Sequence, residues 1–117
     1  MPRGYSKAFT ERVRGIIKDN NIEYPKGYTI YGTDTCRGYC YFQKKIITIP
    51  IWTASKGEAC ILYTICHEIA HAFCDHDTDI NHGPEFMEWF MLLCPDHLWH
   101  YELDYKPRLA AAAGIRL

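Results

Sequence analysis

The chain has 117 residues, of which 48% are apolar and 15% aromatic, with a formal net charge of −1. This length suits one compact domain over residues 1–117, and the balanced charge excludes a strongly basic or strongly acidic protein. The N-terminus lacks the apolar run of a signal peptide, and no later run approaches the roughly 18 to 20 apolar residues of a membrane span. We therefore expect a cytoplasmic, or otherwise intracellular, protein that is not embedded in a membrane.

Charge and cysteine content suggest where the protein acts. Ten of the 13 Lys and Arg residues lie in residues 1–56, together with only four of the 14 acidic residues. Such a basic half either contacts phosphate groups or is an ordinary solvated surface. The six cysteines occur without a secretion signal. They are therefore expected to be reduced thiols in a reducing compartment.

Three elements are predicted in the N-terminal half. Apolar residues recur at helical spacing from residue 6 to about residue 20, which predicts an amphipathic helix with Ser6 as its N-cap. After a turn signal at residues 25–27, the aromatic and β-branched segment 28–32 indicates a strand. Residues 39–51 predict either one bent strand or two strands joined near residues 43–45. Pro50 should mark a strand end or an edge, because it cannot donate a hydrogen bond.

The C-terminal half is predicted to be helical. Residues 55–58 have the capping-box form Ser-x-x-Glu, which predicts that a helix begins there. The helix is apolar almost all round over residues 59–73, which is typical of a buried helix, and it should end near residues 74–76. Pro84 suits the first position of a following helix over residues 84–93. A short last helix is predicted over residues 96–103.

The buried helix carries the motif His-Glu-x-x-His at residues 67–71. On a helix, His67 and His71 lie about 40° apart around the axis and about 6 Å apart along it, so both imidazoles can reach one metal ion. Glu68 lies on the flank of the same face, where it can hold a water molecule and act as a base. The alternative is a helix that carries these residues by chance. Burial argues against it, because unpaired buried polar groups cost several kcal/mol.

A catalytic zinc ion usually takes three protein ligands and one water molecule. The downstream candidates for the third ligand are Asp75, His76, Asp77, Asp79, His82 and Glu85. Asp77 has the spacing of the metzincin pattern, but Cys74 stands where that pattern requires glycine. His82 follows a loop long enough to fold back and precedes a helix that can hold it rigidly. We predict His82 as the third ligand, with Asp77 and Asp79 as alternatives.

These motifs resemble the SprT-like metalloprotease family, some members of which act on DNA–protein crosslinks. In that family His-Glu-x-x-His-Ala is followed by a loop and by His-Gly-Pro-Glu-Phe, here residues 67–72 and 82–86, and the second motif supplies the third zinc ligand. Residues 38–50 resemble the strand before the metal helix. The resemblance implies an α+β fold, a minimal zincin-like domain with a small twisted sheet packed on the metal helix and two or three further helices. The zinc ribbon that family members commonly add has no counterpart here.

We therefore expect a zinc metalloendopeptidase with zinc on His67, His71 and His82, and with Glu68 as general base. A protein or peptide substrate would pair, extended, with the sheet edge formed by residues 39–50. Single-stranded or damaged DNA is a candidate partner.

Two other functions remain open. One is a DNA-associated binding or adaptor module with a mainly structural zinc site, in which the aromatics of residues 39–42 stack on bases. The other is a hydrolase for a small amide or ester. Four side chains are candidates for a second oxyanion donor, although ordinary aromatic or surface roles are favoured for all of them: His97, His100, Tyr101 and Tyr105.

Overall fold

A computed structural model describes residues 1–74 and 82–105, with the side chains of residues 103–105 left out. In chain order the elements are α1 (Lys7–Asp19), β1 (Thr29–Thr33), β2 (Tyr39–Tyr41), β3 (Ile46–Pro50), a 3₁₀ helix (Ile51–Lys56), α2 (Glu58–Phe73), α3 (Pro84–Leu93), a second 3₁₀ helix (Asp96–Leu98) and α4 (His100–Tyr105). The α+β class predicted from the sequence is confirmed. None of the helices in these two ranges is long and apolar enough to cross a membrane.

Helix α1 begins where the sequence predicts and covers one side of the sheet. The Ser6 side chain accepts a hydrogen bond from the backbone N–H of Phe9, as an N-cap residue does. Thr10 is buried in α1, and its hydroxyl accepts a 2.8 Å hydrogen bond from the N–H of Gly32 in β1. A Cβ at Gly32 would lie 2.5 Å from the Phe9 ring, so glycine permits this close approach of helix and strand.

The sheet has three strands in the order β1-β3-β2. Strand β3 pairs with β1 in parallel and with β2 antiparallel. Of the two arrangements predicted for residues 39–51, the one with two strands is therefore correct, and Pro50 ends β3 as expected. The predicted edge over residues 39–50 is too broad. Because β3 is hydrogen-bonded on both sides, β2 is the part of residues 39–50 that lies at an edge of the sheet, and β1 forms the opposite edge.

Helix α2 contributes more buried residues than any other described element, and Ile61, Ile65 and Ile69 on it are fully buried. The predicted capping box at its start is wrong. Residues 51–56 already form a 3₁₀ helix, in which the Ser55 hydroxyl donates to the carbonyl of Trp52 instead of capping α2. Gly57, with φ of 102°, occupies the N-cap position without a side-chain bond.

The remaining helices follow the predicted positions with one difference. Helix α3 begins at Pro84 and ends at Leu93 as predicted, and it buries Phe86, Met87 and Phe90. The last predicted helix is divided into a 3₁₀ turn and α4. Trp99 lies between the two, and its indole N–H donates to the carbonyl of Cys94, which ties this segment to the end of α3.

Candidate metal centre

Three histidine side chains converge on one point. His82 Nε2 lies 3.0 Å from His71 Nε2 and 3.1 Å from His67 Nε2. Tetrahedral coordination with Zn–N bonds of about 2.0–2.1 Å separates ligand nitrogens by about 3.3 Å, which is close to both distances. A neutral imidazole has one N–H and one lone pair, so rings that carry their proton on Nδ1 would present three converging Nε2 lone pairs that suit a cation. The three side chains could therefore hold a metal ion.

The local structure explains how the three rings meet. His67 and His71 lie one turn apart on α2, whereas His82 immediately precedes α3. The ring of Phe86, which is fully buried on α3, lies 5.0 Å, 4.6 Å and 4.9 Å from the rings of His67, His71 and His82. His82 has a left-handed backbone with φ of 60°. This conformation costs a non-glycine residue about 1–2 kcal/mol, and it turns the chain into α3.

The other candidates for the third ligand are placed as follows. Glu85 lies in the first turn of α3 and is partly exposed. Four of them lie outside the described residues: Asp75, His76, Asp77 and Asp79. The structure brings His82 to the two helix histidines, and its role as a ligand stays a prediction.

Glu68 lies beside the histidine cluster. It is 6% exposed, and its Oε1 lies 3.8 Å from His67 Nε2. This position is near the proposed metal without being among the three converging nitrogens. The residue before β2, Gly38, is a close neighbour of Glu68. A Cβ at Gly38 would lie 3.5 Å from Glu68 Cγ. Burial, followed by the nearby charge of Glu68, raises the pKa of Cys40 in β2 to about 12.

A second carboxylate, absent from the predicted site, contacts the cluster from behind. Glu102 in α4 is 1% exposed, and its Oε2 lies 3.2 Å from His67 Nδ1. The hydroxyl of Tyr63 donates a hydrogen bond to the same oxygen. Burial, followed by the charge of Glu102 and this hydrogen bond, raises the pKa of Tyr63. The phenol therefore keeps its proton and remains the donor.

Sequence signals for these two residues are weak. Tyr63 precedes His67 by four residues and so lies on the same face of α2. Glu102 belongs to no recognisable motif and lies in an aromatic segment, 35 residues from His67.

The candidate oxyanion donors have ordinary surroundings where they are described. The ring of Tyr101 stacks on Tyr63, with centroids 5.3 Å apart. His97 and His100 are exposed, and the side chain of Tyr105 lies outside the described part of the chain. A role for any of them in catalysis stays untested.

The fold and the site together define a class. A buried helix carrying His-Glu-x-x-His, a third histidine further along the chain and an edge strand near the glutamate are typical of zincin-like metalloprotease domains. The model of the SprT-like family matches residues 10–104. The chain therefore belongs to the SprT-like family. Comparisons with curated proteins and with solved structures gave no significant match.

Proposed function

We propose that this protein is a zinc-dependent metalloendopeptidase of the His-Glu-x-x-His type. The observation that carries the proposal is the convergence of His67, His71 and His82 within about one ligand spacing, with a buried glutamate beside them. Three imidazoles with a fourth position left for water are a donor set that zinc prefers in catalytic sites. A bound zinc ion would lower the pKa of a water molecule to about 7 and polarise the scissile carbonyl.

Glu68 would supply the proton transfers. Its carboxylate would accept a proton from the attacking water and deliver it to the departing amine. The 3.8 Å separation from His67 Nε2 places the carboxylate where a water molecule near the three histidines could contact it. A purely structural metal site has no use for a base in this position. Glu68 therefore favours the hydrolase over the adaptor module with a structural metal.

Strand β2 would hold the substrate. It is an edge strand, and Gly38, the residue before it, lies beside Glu68. An extended peptide that pairs with this edge through backbone hydrogen bonds would bring its own backbone across the site. Backbone hydrogen bonds depend little on the side chains of the bound peptide, but they require that the peptide be extended. We therefore propose unfolded or flexible protein segments as the substrate class.

Exposed aromatic and basic residues on the sheet support DNA as a partner. Tyr39 and Tyr41 are 44% and 42% exposed, and their ring centroids lie 5.5 Å apart. Tyr41 also lines a surface depression of about 420 Å³ that includes Arg3 and Lys44. Single-stranded nucleic acids bind to proteins by stacking on aromatic rings beside cationic side chains. We propose that single-stranded DNA binds here, and that the substrates include DNA-associated or DNA-crosslinked proteins.

The thiols support an intracellular location for this activity. The six cysteines form no disulfide with one another, and four of them are buried. Free thiols persist in the reducing cytosol and nucleus, whereas secreted domains of this size commonly form disulfides.

The test is cleavage of an unfolded protein and of a DNA-binding protein by the zinc-loaded chain, with and without single-stranded DNA. Glu68→Gln is the matched control, because it keeps the size of the side chain and removes the base. Cleavage by the wild type that is lost in Glu68→Gln supports the peptidase. Faster cleavage in the presence of single-stranded DNA supports DNA as a partner. If both substrates stay intact while DNA binds, the adaptor module is the better account. If neither cleavage nor DNA binding occurs, the hydrolase for a small amide or ester takes its place.

A further inference from the structure

Behind the histidine cluster, three side chains form one buried hydrogen-bonded chain. The hydroxyl of Tyr63 donates to Glu102 Oε2, and the same oxygen lies 3.2 Å from His67 Nδ1. Tyr63 and His67 belong to α2, whereas Glu102 comes from α4. The ring of Tyr63 also packs edge-on against the ring of His67, with centroids 5.9 Å apart. Glu102 Oε2 is therefore contacted from two sides, and its contact with His67 is made at Nδ1, the ring nitrogen that faces away from the cluster.

An ionised Glu102 would fix the position of the proton on His67. An ionised carboxylate only accepts hydrogen bonds, and the hydroxyl of Tyr63 fills one of its acceptor positions. His67 must then donate from Nδ1 to Oε2. Because a neutral imidazole has one N–H, its Nε2 is left with a lone pair that points at the cluster, 3.1 Å from His82 Nε2. This is the tautomer that a metal ion requires at Nε2.

We propose that Glu102 is a positioning residue for the metal ligand His67 and that Tyr63 orients Glu102. The proposal rests on the metal site of the proposed function, but it does not depend on peptidase activity. Carboxylates that accept the second N–H of a ligating histidine fix its ring orientation and raise its basicity, and their loss typically weakens metal affinity by about 10–100-fold.

The proposal also connects helix α4 with the affinity of the site for metal. Because Glu102 lies in α4, the affinity for metal depends on α4 staying packed against α2. The contrasting view is that the same hydrogen bonds only tie α4 to α2. The two views differ in a measurable way, since a structural tie changes stability without changing the protonation of the His67 ring.

The experiment compares wild type with Glu102→Gln and Tyr63→Phe, two substitutions that keep the size of the side chains. Thr10→Val is the matched control. It removes buried hydrogen bonds that join Thr10 of α1 to Gly32 of β1 and involve none of the three histidines, and so it should lower stability without changing the contacts among Tyr63, Glu102 and His67. Circular dichroism checks that each variant folds. Zinc affinity is measured by competition with a chromophoric chelator, and the His67 tautomer of the metal-free protein by long-range ¹H–¹⁵N imidazole correlation at pH 8.

We expect neutral His67 of the wild type to carry its proton on Nδ1. Glu102→Gln should weaken zinc binding about 10–100-fold and raise the population with the proton on Nε2, because an amide both donates and accepts. Tyr63→Phe should weaken zinc binding about 2–10-fold. Thr10→Val should lower the melting temperature and leave both site readouts unchanged.

Two results would overturn the proposal: a wild-type His67 protonated on Nε2, or folded Glu102→Gln and Tyr63→Phe with wild-type zinc affinity. A wild type that fails to bind zinc would instead overturn the proposed function. The tautomer measurement would still decide whether Glu102 acts on His67, because it uses the metal-free protein.

Discussion

Gly38, the residue immediately before β2, lies against Glu68. A Cβ at Gly38 would lie 3.5 Å from Glu68 Cγ and only 2.9 Å from the backbone oxygen of Thr48. Thr48 belongs to the central strand and is paired on both sides, so its oxygen cannot move aside easily. A side chain at residue 38 must therefore displace the backbone where the edge strand begins, next to the glutamate.

This relationship predicts that Gly38→Ala lowers peptidase activity without removing the metal. A displacement of about 1 Å at a reacting centre can cost up to about 100-fold in rate, so we expect kcat/KM to fall by about 10–100-fold. Zinc affinity should stay within about twofold of wild type, because the atoms nearest to a Cβ at residue 38 belong to Thr48, Pro50 and Glu68 and not to the three histidines. Cleavage of a fluorogenic unfolded substrate and chelator competition measure the two quantities.

Gly15→Ala is the matched control for Gly38→Ala. Gly15 lies within α1, and a Cβ there would meet no atom within 4 Å. Alanine should raise the free energy of unfolding by about 0.5–1 kcal/mol and leave cleavage unchanged. Full activity in Gly38→Ala would show that the substrate does not lie along β2.

A second prediction concerns the metal. His82→Ala removes one of three converging imidazoles, so zinc affinity should fall by more than the roughly 100-fold that the loss of a supporting residue can cause. The exposed His97 provides the control, and His97→Ala should bind zinc as the wild type does. Zinc content after dialysis and chelator competition give the answer. If His82→Ala binds zinc with wild-type affinity, another side chain is the third zinc ligand, and the sequence offers Asp77 and Asp79 as candidates.

Much of this site is predictable because its parts are local in sequence. His67, Glu68 and His71 lie within two turns of one helix, so helical periodicity alone places them on one face. His82 requires a chain reversal, which the polar loop and Pro84 indicate. Glu102 has no such signal. Its contact with His67 spans 35 residues and depends on how α4 packs, which periodicity does not encode.

The errors at the sheet edge and at the start of α2 have a similar origin. The pattern of residues 39–50 indicates strands but not their order, and the parallel pairing of β1 places β3 in the centre. The form Ser-x-x-Glu at residues 55–58 is a local motif, but the preceding residues form a 3₁₀ helix that engages the Ser55 hydroxyl first. In both cases a non-local or competing contact decides between arrangements that the sequence allows equally.

A third prediction tests the link between α1 and the sheet. Thr10 is 1% exposed, and its hydroxyl donates to the carbonyl of Ser6 at 2.6 Å and accepts from Gly32 N–H at 2.8 Å. Thr10→Val leaves the buried N–H of Gly32 without this partner, so the free energy of unfolding should fall by about 1–3 kcal/mol. Urea denaturation of the metal-free protein measures it. The exposed Thr29 is the control, and a loss in Thr29→Val as large as that in Thr10→Val would contradict this account.

A fourth prediction concerns the reactivity of Cys40. With a pKa raised to about 12 by burial and then by the charge of Glu68, the thiol is almost fully protonated at neutral pH. At pH 8 only about one molecule in 10⁴ carries the reactive thiolate. Iodoacetamide should therefore modify the exposed Cys36 well before Cys40 in the folded, metal-free protein. The rate at Cys40 should rise about tenfold for each pH unit, because the thiolate fraction does so below the pKa.

The variant Glu68→Gln separates the effect of the Glu68 charge on the Cys40 pKa from the effect of burial. Removing the carboxylate lowers the pKa of Cys40, since the second of its causes disappears while burial remains. The alkylation rate at Cys40 should then rise at every pH below 12, whereas the rate at Cys36 should not change. Mass spectrometry of peptides from both proteins, alkylated under native conditions between pH 7 and pH 9, measures the two rates in one sample. An unchanged rate at Cys40 would show that burial alone limits the thiol and that Glu68 does not act on it.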